Sequence, residues 1–81
     1  MRFNINDTVK VLVNGKHWLR GNIIEIQDEI LTINIPLHYS ELPMMTVQEH
    51  VENVRAVAET LEQRKKMLEQ GYRLYGIPYN L

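Results

Sequence analysis

TVQEHVENVRAVAETLEQRKKMLEQG, residues 46–71, decides the fold, because everything upstream of it reads as strands in need of a cover. Val47, Val51, Val54, Ala58, Leu61 and Leu68 recur at spacings of three, four and seven, with Val57 beside them. They therefore gather on one side of a 3.6-residue helix. Glu52, Arg55, Glu59, Glu62 and Lys66 fall on the other side, with the order of charges that suits a solvated helical face. Thr46 followed by Glu49 fits a capping box. Gly71 supplies a stop, with Lys65 and Lys66 near the pole of the helix dipole that favours cations. The expectation is one long helix over 46–71.

Upstream, Val9, Val11 and Val13 alternate with Thr8, Lys10 and Leu12, and Asn14-Gly15 suits a tight type I′ hairpin turn. A second strand follows from about His17 through Gln27, with Gly21 marking a bend or bulge, and with Ile24 and Ile26 facing one way. After the polar break at Asp28-Glu29, Leu31, Ile33 and Ile35 alternate with Thr32 and Asn34 until Pro36 removes a donor. The domain map is a β-meander over 1–36, a loop over 37–45 with Met44 and Met45 as plugs, the helix over 46–71, and a packed aromatic tail over 72–81.

The run Asp7-Thr8-Val9-Lys10-Val11, then Gly15, Trp18, Gly21 and Ile24, resembles the opening of SH3-like small β-barrels of the KOW and Tudor kind. The resemblance covers residues 3–35. It implies two further strands that close a barrel, with 50–53 as a single helical turn and 54–57 as the last strand. That arrangement competes with the long helix; the valine spacing and the capping box favour the helix, and the β-branched residues speak against it. The fold class is α+β: a three- to five-stranded antiparallel meander or SH3-like small barrel, then a long C-terminal helix and an aromatic tail.

At 81 residues the chain is one domain with a modest core. With 44% apolar residues it is too hydrophobic for a disordered chain. It has no cysteine, which excludes disulfides, thiolate chemistry and cysteine-based zinc sites. No segment approaches the roughly 20 apolar residues of a membrane span, so a soluble, cytoplasmic protein is expected. Residues 1–57 carry five Lys or Arg against seven Asp or Glu, which disfavours a broad phosphate-binding face and hence nucleic acid.

His17, His38 and His50 have no metal-ligand spacing, so no metal is expected. Glu25 and Glu41 are the carboxylates with any prospect of acid–base work, yet no nucleophile motif accompanies them, and neither an enzyme nor a cofactor is expected. Lys16, Trp18, Arg20 and Tyr39 offer a binding surface, Trp18 and Arg20 sharing a strand face, since an aromatic with flanking cations clamps anions or stacks bases. Arg55 and Arg64 extend it if a nucleotide-like ligand binds between subunits.

A helix of 24 residues spans about 36 Å, while a compact body of this length has a radius of gyration of roughly 12 Å. The helix should overrun its sheet, so Leu68, Tyr72, Leu74, Tyr75, Ile77 and Tyr79 are expected at a homo-oligomer interface. The functional expectation is a non-catalytic binding protein, self-associating and acting on another protein as adaptor, assembly factor or inhibitor. The alternatives are a protein that sequesters a nucleotide-like ligand and an SH3-like nucleic-acid-binding module.

Overall fold

Strands dominate the computed structural model, which describes residues 3–37 and 44–76. The elements are β1 (Thr8–Val13), β2 (His17–Gln27), β3 (Ile30–Pro36), β4 (Met44–His50), a 3-10 turn (Val51–Asn53), β5 (Val54–Ala56) and α1 (Leu61–Glu69). The strands form one antiparallel sheet in the order β4-β3-β2-β1-β5.

The long helix is overturned, and the α+β arrangement built on it falls with it. Residues 44–50 pair with β3 along their whole length, 51–53 form the 3-10 turn, and 54–56 pair with β1. Among the described residues only nine, Leu61–Glu69, are α-helical. Val47, Val51 and Val54 are β-branched, and burial against neighbouring strands outweighs a coincidental period of 3.6. The helix is capped by a different Thr: the Thr60 hydroxyl accepts from the Gln63 amide at 3.0 Å, and the Gln63 side chain accepts from the Glu59 amide at 3.0 Å. Met44 and Met45 belong to β4, not to a loop.

The core lies on one face of the curled sheet. Val9 and Val11 of β1, Ile23 of β2, Leu31, Ile33 and Ile35 of β3, and Val54 and Ala56 of β5 are buried there with Phe3 and Leu74. Ile23 enters the core, whereas Ile24 falls at the register shift between Ile23 and Glu25 and is exposed; beyond the shift Ile26 pairs with the buried Leu31 and is itself 37% exposed. Gly21 allows β2 to approach β3 closely. A Cβ there would stand 2.6 Å from Ile33 Cγ2, 2.8 Å from the Asn34 carbonyl oxygen and 3.0 Å from Ile35 Cγ1.

The β1–β2 connection occupies residues 14–16, with Asn14 and Gly15 at positive φ and Val13 paired to His17. That loop is one residue longer than the expected two-residue turn. After α1 the chain returns to β5: the Ala56 amide donates to the Arg73 carbonyl at 2.8 Å and the Tyr75 amide to the Ala56 carbonyl at 3.0 Å. This seats Leu74 beside Ala56 in a parallel bridge and covers the outer edge of β5. α1 is about 14 Å long at 1.5 Å per residue, so the length argument for oligomerisation lapses.

Candidate binding face

The extra residue in the β1–β2 loop fixes what meets on the outer face of the sheet. A two-residue turn would set Lys10 opposite Leu19; with three residues, Lys10 pairs with Arg20 and Leu12 with Trp18. On the other side of β1, Lys10 pairs with Arg55 of β5. Three cations thus stand abreast on β2, β1 and β5, across about 10 Å at the usual strand spacing. Like charges on directly opposed strand positions repel.

Two aromatic rings border this row. Trp18 and Tyr75 lie with centroids 5.6 Å apart and planes inclined at 58°. The Arg55 guanidinium carbon sits 5.5 Å from the Trp18 ring centroid, and Lys10 Nζ sits 4.9 Å from that of Tyr75. Each ring therefore supports one cation through its negative face. Arg55 Nη1 also donates to the Glu52 carbonyl at 2.9 Å, and Arg73 Nη1 reaches the same oxygen at 3.4 Å. Arg20 pairs with Glu59 at 3.3 Å, both side chains being more than half exposed. Such a pair contributes little to stability. It leaves Arg20 available to another anion.

Beside the rings, Leu12, Gly15, Trp18, Glu49, Asn53 and Arg55 line an open cleft of about 240 Å³. Small-molecule sites run to roughly 300–1,000 Å³, so this cleft suits a side chain better than a whole nucleotide. Among the described residues no group of three or more His, Cys, Asp or Glu is placed to hold a metal ion.

Of the residues expected at a ligand surface, Trp18, Arg20 and Arg55 are brought onto this face. Lys16 sits exposed in the adjoining 14–16 turn. Arg64 is half-buried on α1 with its Nε enclosed, and it does not line the cleft. Tyr39 lies outside the described residues, as do His38, Glu41, Ile77 and Tyr79. Of the expected interface residues, Leu74 is buried in the chain's own core and Tyr72 packs edge-on against Phe3 at 5.3 Å. Leu68 is exposed on α1, and Tyr75 joins the binding face instead.

Lys10 and the role of Tyr75 escape a reading of the sequence alone. Lys10 was legible as an outward residue of β1, but its neighbours depend on the loop length. Tyr75 follows the helix by several residues, and no local pattern ties it to Trp18.

No protein-family model, curated protein or solved structure matches the chain. No helix among the described residues is long and apolar enough to cross a membrane.

Proposed function

We propose that this chain is a non-catalytic binding module that holds an extended, acidic segment of another protein on the face built by Lys10, Arg20, Arg55, Trp18 and Tyr75. The observation that carries this reading is the row of three cations on adjacent strands, two of them supported by aromatic rings. Preorganised cations lose less freedom on binding than mobile ones, and their mutual repulsion is relieved when carboxylates arrive. The cleft between Leu12, Trp18 and Asn53 then takes a side chain of the same segment.

Two features set a protein ligand ahead of single-stranded nucleic acid. Base stacking needs ring faces open to the ligand, whereas Trp18 and Tyr75 lean on each other and each carries a cation. A backbone track needs cations in a long line, whereas these span three strands, with Glu59 paired to Arg20 and Glu49 lining the adjoining cleft. The strand order and the 3-10 turn before β5 support the resemblance to SH3-like small barrels, here in a protein-binding role.

Trp18 is the single tryptophan of the chain, so its fluorescence reports directly on this face. Titration with a Glu- and Asp-rich peptide is expected to shift the emission, with affinity that falls as salt rises. Arg55→Gln should weaken binding about tenfold, in line with the loss of a charge-assisted contact. The reading fails if a mixed-sequence single-stranded oligonucleotide binds more tightly than the peptide, or if neither perturbs Trp18.

A further inference from the structure

The two edges of the sheet are treated differently. β5 is three residues long, carries Arg55, and is covered by residues 73–75 through two backbone hydrogen bonds. β4 is seven residues long, runs in unbroken register with β3, and is the last strand of the sheet. Alternate amides and carbonyls of an edge strand point away from its neighbour. Among the described residues no backbone group outside β3 pairs with that outer edge.

Proteins ordinarily guard such an edge with Lys, Pro, a bulge, extreme shortness or an inward-pointing charge, and of these β4 has the last alone. MMTVQEH, residues 44–50, contains no Lys, Arg or Pro, and its register shows no bulge. Its one formal charge, Glu49, sits on the core side of the strand opposite Leu31, and Asn53 Nδ2 approaches it at 3.5 Å. The outward side chains Thr46 and Gln48 are neutral.

We propose that β4 pairs antiparallel with β4 of a second copy, about a twofold axis through Val47, to give a sheet continuous across the two chains. The register closes on itself about Val47. Val47 meets Val47, Thr46 meets Gln48, Met45 meets Glu49 and Met44 meets His50, so Glu49 never faces its own copy. The row of residues on the outer face also continues across the axis. Ile30, 40% exposed, neighbours His50 on β3, and Met44, 57% exposed, neighbours Pro36. The twofold aligns them as Ile30, His50, then Met44 and Pro36 of the second copy, an unbroken transverse row of cross-strand contacts. The inference is independent of what the cation face binds.

The test exploits the register. Sedimentation across a dilution series of the full chain should show reversible dimerisation. Thr46→Lys with Gln48→Lys sets lysine against lysine twice across the axis and should weaken dimerisation by about tenfold. Thr46→Lys with Gln48→Glu sets opposite charges against each other and should restore wild-type association. The neighbours of both positions on β3, Asn34 and Thr32, are neutral, so neither variant meets a like charge across to β3. Circular dichroism confirms that both variants fold. The proposal is overturned if the wild-type chain stays monomeric, if the double-lysine variant dimerises as before, or if the two variants dissociate alike.

Discussion

Replacing Gly21 by Ala tests the packing on which the curled sheet depends. The added methyl would stand 2.6 Å from Ile33 Cγ2 and 2.8 Å from the Asn34 carbonyl oxygen, well inside contact distance. The Ile33 side chain is fully buried and the carbonyl is backbone, so no rotamer change relieves both contacts. β3 must move away from β2, at a cost of about 1–3 kcal/mol for overpacking. Gly→Ala otherwise stabilises by about 0.4–1 kcal/mol through the unfolded chain. The net loss should therefore be about 1–2 kcal/mol, which for a domain of this size lowers Tm by about 5–15 °C. Thermal unfolding followed by circular dichroism measures it, and Trp18 fluorescence in a urea titration gives an independent midpoint. Gly15→Asn serves as control, since Gly15 has a positive φ but nothing within 4 Å of a Cβ, and Asn accepts that conformation. A Gly21→Ala protein as stable as the wild type would refute the close approach of β2 to β3 at this point.

Three further outcomes are expected. Leu74→Ala should destabilise by about 2–5 kcal/mol in urea denaturation, because Leu74 is fully enclosed by the core and leaves a cavity; a loss below about 1 kcal/mol would place Leu74 outside the core. Thr60→Ala should lower stability by about 1 kcal/mol through loss of the helix cap, while Thr46→Ala, on a strand, should leave helical ellipticity unchanged. Arg20→Gln should change stability by no more than about 0.5 kcal/mol, since its pair with Glu59 is exposed, yet it should reduce the salt dependence of acidic-peptide binding; an unaltered salt dependence would remove Arg20 from the face.

The N-terminal half was legible because its signals are local. Valine alternation, Asn14-Gly15, Asp28-Glu29 and Pro36 mark β1 to β3 within a few residues of their observed ends. Residues 46–71 carry two overlapping messages. Two Thr residues are each followed three positions later by a Glu or Gln, and only the second, Thr60, precedes a run of unbranched helix formers. The first precedes Val47, Val51 and Val54, whose β-branched side chains favour strands over the turns of a helix. Period and cap were outweighed by side-chain shape and by the core that β3 and β1 offered to β4 and β5. The candidate face was half legible for a different reason. Trp18 and Arg20 share a strand face by alternation alone, whereas Lys10, Arg55 and Tyr75 join them through cross-strand register and a long-range bridge. Averaging charge over residues 1–57 also hid the cations, because the sheet gathers Lys10, Arg20 and Arg55 on one face.

The bridge between Ala56 and Leu74 has an evolutionary side. It makes residues 57–73 an excursion that leaves the sheet and returns to the same strand, with a helix that buries no residue fully at its tip. Lengthening a closed loop costs only about 0.6 kcal/mol per doubling. The excursion can therefore be lengthened or exchanged with little penalty beyond the packing of Ala58, Met67 and Tyr72 against the core. The sheet and its two edges are the constant part of such a scaffold, and the segment carrying α1 is where new sequence can be grafted without rebuilding the core.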